Sequence, residues 1–317
     1  MPQSLEQPTP NRHAATYRHV LEETQQGHVI RVPIYQELEK ALYGGKCRIV
    51  TFFAAFHPFG LLDDEDADML EEVLQNTTID DDQNLVLVIS SPGGSAVAAE
   101  RIVNICRTYG HGHFSVIVPK MAKSAATMVC LGAKQVHMSH TSELGPIDPQ
   151  ILIREPDNRS TRYLAAHEIL ESYSELMTKA NRSLRGRLEP YLQQLQRFDA
   201  RDIRAIRSAQ ELSESIAVNC LQDEALAGKT KTEIKAKLKP FLKPRYTTVH
   251  ERPIYHAMAT RCGLSVEVHD VRSPVWRIVW KLYVRLSHIV RSHTTKVIET
   301  TDDSFVSKVV AAEEIEA

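Results

Sequence analysis

The chain has 317 residues, a formal net charge of −2 and five cysteines. This small charge gives no general attraction to nucleic acid, and the sequence contains neither a secretory signal nor an apolar run of transmembrane length. The cysteines are odd in number and lack CxxC spacing, which indicates reduced core residues rather than disulfides or a metal site. We therefore expect a cytoplasmic protein that has no transmembrane segment, no metal and no cofactor, and that does not bind nucleic acid.

The amino-terminal part of the sequence predicts one sheet strand between two helices. Residues 1–28 are polar and contain prolines, which indicates a flexible segment. The run from Val29 to Val32 predicts a short strand, and a helix is expected from Pro33 to Leu42. Arg48 to Phe53 predicts the first strand of the main sheet. An acidic run then leads into a predicted helix from Ala67 to Leu74, where carboxylates suit the helix dipole.

The central stretch repeats a pattern of strand, turn and helix. Leu85 to Ile89 is wholly apolar and breaks into Ser91-Pro92-Gly93-Gly94, which precedes a helical pattern from Ala96 to Arg107. A second apolar run, Ser115 to Val118, leads to Ser124, which alanines flank at the start of another predicted helix. Continuous Val, Ile and Leu runs are typical of parallel strands buried on both faces.

These residue types suit acyl transfer. Paired glycines at a strand end let backbone N–H groups point outward, as an oxyanion hole requires. A serine among alanines at a helix N-terminus leaves an uncrowded approach for a carbonyl. Each feature alone is more often a plain turn or a helix cap, and it is their order that favours a catalytic site.

The second half of the sequence predicts a helical annex. Residues 151–161 are polar and indicate a loop, and three helices are expected at 162–182, 190–207 and 209–226. A basic segment around 229–243 indicates a solvated face, with an acidic partner or nucleic acid as the alternative. Segment 274–291 carries both tryptophans among arginines and predicts a protein contact, or else a helix lying at a membrane interface. We expect the acidic tail beyond Thr294 to be flexible.

The central motifs resemble those of the serine dehydrogenase proteinase family. The similarity rests on Ser91 to Gly94, on Pro119 to Thr127 and on Ser142 to Gln150, and weaker likeness extends it over roughly residues 30 to 270. That family belongs to the crotonase-like superfamily, together with the Clp protease proteolytic subunit and signal peptide peptidase A. The resemblance implies an α/β fold, with a Clp-like core, a largely parallel sheet and a C-terminal helical annex.

The resemblance also implies roles for individual residues. Ser124 matches the nucleophile position. Gly93 and Gly94 match the turn whose N–H receives the oxyanion, and the N–H of Ala125 would be the second donor. Where the Clp subunit carries its histidine, this chain reads Gly145 to Asp148, which speaks against a histidine base at that position.

Signal peptide peptidase A instead uses a lysine further downstream on a helix. Lys179 follows Ser124 by 55 residues and is the only lysine between Lys134 and Lys229. A lysine acts as a base only when desolvation keeps it neutral, and the place of Lys179 on the flank of an apolar helical stripe predicts partial burial. Lys179 is therefore the leading candidate, with Asp148 and His250 as alternatives; Asp148 also suits a bracing role in the turn. Lys123 is expected to point elsewhere.

These predictions divide the chain into a flexible segment (1–28), a Clp/crotonase-like core (29–160), a helical annex with a closing strand (161–270) and an amphipathic helix with its tail (271–317). We expect a serine peptidase-like hydrolase that acts through an acyl-enzyme on a peptide or protein substrate, and that forms a homo-oligomer. A catalytically silent scaffold and an acyl-CoA or thioester enzyme of the same fold are the alternatives.

Overall fold

The structure, a computed structural model, describes residues 27–154, 161–182, 188–242 and 253–307. A seven-stranded sheet forms its centre, with the strand order β10-β5-β3-β2-β1-β11-β12. These strands are β1 (Cys47–Ala54), β2 (Asn84–Ser90), β3 (Phe114–Val118), β5 (Gln135–Ser139), β10 (Val266–His269), β11 (Lys296–Glu299) and β12 (Ser304–Val306). The strands from β10 to β1 run parallel, whereas β11 and β12 join antiparallel, so the sheet is mixed.

Helices cover both faces of this sheet. One face packs against α2 (Asp64–Gln75), α3 (Ala96–Tyr109), α4 (Ala125–Leu131), α7 (Ala200–Asp223) and α8 (Lys231–Leu242). The other face packs against α1 (Val32–Ala41) and α10 (Pro274–Ser292). The predicted α/β fold with a largely parallel sheet is confirmed, and the strand from Leu85 to Ile89 is fully buried, as its apolar sequence requires.

The remaining elements are short or lie in the annex. Strands β4 (Met121–Ala122), β6 (Glu143–Leu144) and β9 (Ile254–Tyr255) form a small second sheet, and β7 (Gln150–Arg154) pairs with β8 (Thr161–Ala165) in a hairpin. The other helices are α5 (Ala166–Arg182), α6 (Glu189–Leu195) and α9 (His256–Arg261).

Several predicted boundaries were wrong. Val29 lies in a 3-10 turn, His28–Ile30, because α1 begins at Val32 and leaves no room for a strand. The 151–161 region contains hairpin strands rather than a loop, so α5 begins four residues later than the predicted helix. The helices expected at 190–207 and 209–226 are instead α6 and the continuous α7. The predicted flexible segment 1–28 falls almost wholly outside the described residues.

The prediction of a flexible tail beyond Thr294 was also wrong for residues 295–307, the part of the tail that the structure describes. Lys296 to Glu299 forms β11, the direct neighbour of β1 in the sheet. Glu299 is fully buried there, and its carboxylate accepts hydrogen bonds from Arg31, from the Tyr35 hydroxyl at 3.1 Å and from the Ser304 hydroxyl at 2.9 Å. These partners satisfy a carboxylate that would otherwise be costly to bury.

The apolar face of α10 is covered by the protein itself. Trp276, Val279, Leu282 and Leu286 are buried against β1, β2 and α1. The protein or membrane contact expected for segment 274–291 is therefore largely replaced by packing within the chain. Of the helices that the structure describes, none combines the length and apolarity needed to cross a bilayer.

The five cysteines lie in the core as predicted. All are free and buried. Burial raises the pKa of Cys220 to about 11 and that of Cys47 to about 12, because the thiolate form would lose its hydration. Both thiols are therefore protonated at neutral pH and behave as apolar core groups.

A buried lysine attaches β11 to the start of α2. The Lys296 ammonium lies 2.8 Å from Asp63, the N-cap of α2, and 2.8 Å from the buried Asp66. Burial opposes the charge on Lys296, but hydrogen bonds to both carboxylates raise its pKa overall. Burial likewise raises the pKa of Asp66, although the bond from Lys296 opposes this rise.

We predict that Lys296→Met lowers the free energy of unfolding by about 3 kcal/mol, because it leaves Asp66 buried without its cation. Urea unfolding measures this loss. Lys46→Met is the matched control, since the Lys46–Asp82 pair is about two-thirds exposed on both sides and its loss should leave stability nearly unchanged. Equal stability of the two variants would contradict the prediction.

Candidate functional site

Ser124 lies at a strained bend between β4 and α4. Its backbone has φ 48° and ψ −119°, a sparsely populated positive-φ conformation that costs a residue with a Cβ on the order of 1–3 kcal/mol. Its hydroxyl does not cap α4, although the residue occupies the N-cap position. Ser124 stands at the start of a helix, as expected, but its hydroxyl does not act as the helix cap. Strained backbone of this kind is common at functional sites, which indicates a functional role for the side chain.

The turn after β2 packs directly against this bend. A Cβ built on Gly93, which has φ +93°, would lie 2.4 Å from the Lys123 carbonyl oxygen and 2.8 Å from the Ala125 nitrogen. A Cβ on Gly94, with φ +152°, would lie 2.2 Å from the carbonyl oxygen of Leu62. Both positions therefore require glycine for two reasons: the backbone conformation disfavours a Cβ, and the neighbouring backbone leaves no room for one.

Three backbone N–H groups meet at this junction, and among the described residues one has a hydrogen-bond acceptor and two have none. The Gly93 N–H donates to the Ser91 hydroxyl at 3.1 Å. Within the described part of the chain, by contrast, no acceptor is paired with the N–H of Gly94 or with that of Ala125, the first residue of α4. Unsatisfied N–H groups at a helix N-terminus attract negative charge.

The bend is held by hydrogen bonds to the neighbouring segments. The Lys123 N–H donates to the Ser91 carbonyl at 3.1 Å. The Thr127 hydroxyl lies 2.8 Å from the Ala122 carbonyl and 3.1 Å from both the carbonyl and the N–H of Gly145. Thr127 is fully buried, so it fastens α4 to the Gly145–Asp148 turn from inside the core.

Ser124 lines a cavity of about 940 Å³. Its walls come from segment 56–62, the glycine turn, the start of α4, the 145–150 turn and α7. Most lining side chains are apolar, including Leu61, Val97, Met128, Ile147 and Leu212. The titratable residues that line it, among those described, are His57 and Lys123. The volume and the apolar lining are typical of a small-molecule or peptide site.

Lys123 is engaged by a carboxylate. Its ammonium lies 3.0 Å from Glu143, and both side chains are about four-fifths buried. Lys123 lines the same cavity as Ser124, although it was expected to point elsewhere, and its ammonium is engaged by Glu143.

Asp148, whose neighbours Ile147 and Pro149 line the cavity, forms a pair with His167. Asp148 Oδ2 lies 2.7 Å from His167 Nδ1, and the Asp148 carboxylate is fully buried. Its other oxygen accepts from Gln210 of α7 at 3.5 Å. The Ala166 N–H donates to the Pro149 carbonyl at 2.8 Å, which fixes the start of α5 to this turn. A carboxylate on Nδ1 orients an imidazole and leaves Nε2 for another partner.

Sequence reasoning missed His167. It follows Ser124 by 43 residues at the start of α5, where the resemblance placed a downstream base on a helix. A search for a lysine alone passed over this histidine. Its contact with Asp148 depends on the β7–β8 hairpin, which was predicted as a loop.

Lys179 is placed differently from the expectation. Its side chain is 58 % exposed and its ammonium lies 3.6 Å from Glu175, one turn earlier on α5. Neither Lys179 nor His167 lines the cavity that contains Ser124, whereas Ile147 and Pro149, the neighbours of Asp148, do. The partial burial expected for a lysine base is thus not observed, and the catalytic role of Lys179 stays a prediction. His250 lies outside the described residues.

Comparison with known proteins matches the centre of the chain to one family. Residues 50–165 match the model of the ClpP-like SDH-type serine proteinases. This match confirms the resemblance seen in the sequence, and it supports a peptidase-type function. The matched residues include the glycine turn, Ser124 and Asp148, whereas His167 follows directly after them.

Two curated relatives come from Methanocaldococcus jannaschii, and both are uncharacterized proteins. One is 33 % identical over 82 residues, which cover 26 % of this chain and 28 % of the relative. The other is 36 % identical over 70 residues, covering 22 % and 24 %. The matches thus span about a quarter of the length of each relative.

Among solved structures, a serine-to-alanine mutant of the 1510-N membrane-bound stomatin-specific protease is similar at a TM-score of 0.39 and 14 % identity. The similarity covers 68 % of this chain and 76 % of that one.

We predict that Gly93→Ala lowers the free energy of unfolding by about 3 kcal/mol, because the new methyl group overlaps the Lys123 carbonyl in addition to straining the backbone. Gly112→Ala is the matched control: Gly112 has φ +80° but no atom within 4 Å of a built Cβ, so it should cost about 1 kcal/mol. Chemical denaturation of both variants measures the difference. A cost for Gly93→Ala no larger than that of the control would show that the close contact is not required.

Proposed function

We propose that this protein is a serine peptidase that cleaves a peptide or protein substrate through an acyl-enzyme. The observation that carries the proposal is the backbone of Ser124, strained at φ 48° and lining an apolar cavity beside a turn that tolerates only glycine. Strain of this kind persists where it serves a function. The match of residues 50–165 to a serine proteinase family supports the same chemistry.

In this proposal Ser124 Oγ attacks the substrate carbonyl, and the developing oxyanion accepts hydrogen bonds from the N–H groups of Gly94 and Ala125. Both groups lack a partner among the described residues, and Ala125 adds the positive end of the α4 dipole. Gly93, whose own N–H is directed to Ser91, permits the close approach of the two segments.

We assign the general base to His167, oriented by Asp148. Deprotonation of Ser124 by Nε2 of His167 would leave an imidazolium that the Asp148 carboxylate stabilises. His167 then returns the proton to the leaving amine, and water releases the acyl group by the same path in reverse. Catalytic hydrogen bonds often shorten when substrate binds, so His167 needs to close on Ser124 only in the complex.

Apolar residues along the cavity indicate which substrates fit. Leu61, Val97 and Leu212 are 39 %, 53 % and 46 % exposed and lie on three different segments of the wall. Such a surface suits an extended peptide with apolar side chains. Assembly into a homo-oligomer and a cytoplasmic location stay predictions; the exposed Leu188 and Leu192, at the N-cap and within α6, support a subunit contact.

We predict that a fluorophosphonate probe labels the wild type and that Ser124→Ala abolishes this labelling and lowers peptide hydrolysis by at least about 10³-fold. Ser95→Ala is the matched control, because Ser95 lines the same cavity but its hydroxyl caps α3 through the Ala98 N–H at 3.3 Å. Loss of labelling in Ser95→Ala with retention in Ser124→Ala would contradict the nucleophile assignment. A wild type that never labels would favour a silent scaffold of this fold.

We predict that His167→Gln lowers the labelling rate by about 10² to 10⁴-fold and that Asp148→Asn has an effect of similar size, since the second change leaves His167 without its orienting carboxylate. Two controls accompany them: His57→Gln, a cavity histidine that stacks on Phe59, and Lys179→Ala. Both should label within about twofold of the wild type. Loss in Lys179→Ala with retention in His167→Gln would return the base to Lys179.

A further inference from the structure

We propose a zinc site on the face of the sheet opposite α4, formed by His137 of β5 with Glu267 and His269 of β10. The three side chains project from neighbouring parallel strands, with Glu267 directly opposite His137 in the register. One donor atom from each lies within 4.8 Å of the other two.

The spacing of the donor atoms fits a tetrahedral ion. His137 Nδ1 lies 2.9 Å from His269 Nε2, and the Glu267 carboxylate oxygens lie 3.5 Å from His137 Nδ1 and 3.6 Å from His269 Nε2. Bonds of about 2.0–2.1 Å at tetrahedral angles place neighbouring ligand atoms about 3.3 Å apart, so small side-chain movements bring all three into position. Two imidazoles and one carboxylate are a donor set that zinc commonly takes.

A hydrogen-bond network contacts Nε2 of His137, the ring nitrogen that faces away from His269. The Tyr43 hydroxyl lies 2.9 Å from Gln135 Oε1, 3.0 Å from Ser115 Oγ and 2.6 Å from His137 Nε2. When its single proton is donated to Gln135 or Ser115, its oxygen accepts from His137 Nε2. The lone pair of His137 is then on Nδ1, facing His269 and Glu267. This is the arrangement of metal-binding histidines, which donate their other ring N–H to a supporting group.

The other two donors are supported as well. Gln135 Nε2 donates to Glu267 Oε2 at 3.0 Å, so the same amide holds both Tyr43 and the carboxylate. The ring of His269 stacks on Trp276 of α10 at 5.7 Å with an interplanar angle of 20°. Supporting groups of this kind restrict the orientation of the ligands before an ion binds.

The burial of the three side chains indicates how a zinc ion would reach the site and what it would do there. The side chains of His137 and His269 are 2 % and 11 % exposed, whereas Glu267 is 47 % exposed and opens the site to solvent. A zinc ion would keep water as its fourth ligand on that side. It would join β10, a four-residue edge strand, to β5 and so hold the chain leading into α10.

The test uses the full chain after dialysis against a chelator. Titration with Zn²⁺ by calorimetry should show one equivalent bound, Co²⁺ should give the visible absorption of a tetrahedral centre, and Zn²⁺ should raise the midpoint of thermal unfolding. Glu267→Gln and His269→Gln should each weaken Zn²⁺ binding by at least about tenfold. Circular dichroism shows whether a change at a histidine impairs folding. Glu267→Gln remains a valid test in that case, because the Glu267 side chain is half-exposed.

His140→Gln is the matched control. His140 Nδ1 lies 3.1 Å from His256 Nε2, which makes an exposed histidine pair without the carboxylate. Retained zinc binding in this variant supports the proposal. The proposal is overturned if the wild type takes up no zinc at micromolar concentration, if Glu267→Gln and His269→Gln bind as the wild type does, or if His140→Gln loses the ion. In those cases the His137–His269 contact is a hydrogen bond between two strands.

Discussion

The site depends on the close packing of two backbone segments, the glycine turn after β2 and the bend at Ser124. No side chain fits between them, since even a methyl group on Gly93 would overlap the Lys123 carbonyl. The contact holds the bend against a fixed wall, while Ser91 and Thr127 bind its two sides. Ser124 can therefore keep a conformation that an isolated peptide would leave, because the surrounding structure determines it from several directions.

Three buried carboxylates differ in the kind of side chain that they contact. Glu299 is paired with Arg31 and Asp66 with Lys296, and both cations stay charged at any physiological pH. Such buried ion pairs have a structural role. Asp148 is equally buried, but its partner is a histidine that is 17 % exposed. The same kind of burial here orients an imidazole rather than neutralising a permanent cation.

The sequence predicted the parts of the structure whose cause is local. The apolar run from Leu85 to Ile89, the glycine turn and the start of α4 follow from residue type and order. Ser124 could be singled out because its neighbours are small. His167 could not, because its proximity to Asp148 arises from a hairpin of mixed composition that brings α5 back to the turn.

The carboxyl-terminal region illustrates the same limit. The charged sequence after Thr294 gives no local sign of a central strand, and β11 is stabilised by partners far away in the chain: Arg31, Tyr35 and Asp66. Periodicity cannot report such partners, since they meet only in the folded state. The face of α10 was read as a contact surface for a similar reason, because its apolar stripe is visible in sequence while the sheet that covers it is not.

The position of β11 has a consequence for the order of events on the ribosome. The glycine turn, Ser124, Asp148 and His167 all lie before residue 170, yet β1 gains its second neighbour in the sheet only when residues 296–299 have been made. Contacts between residues this distant form late and slowly. A nascent chain would thus carry the segment of the serine bend long before the sheet beneath it is complete, so the candidate site would mature only as translation of this region ends.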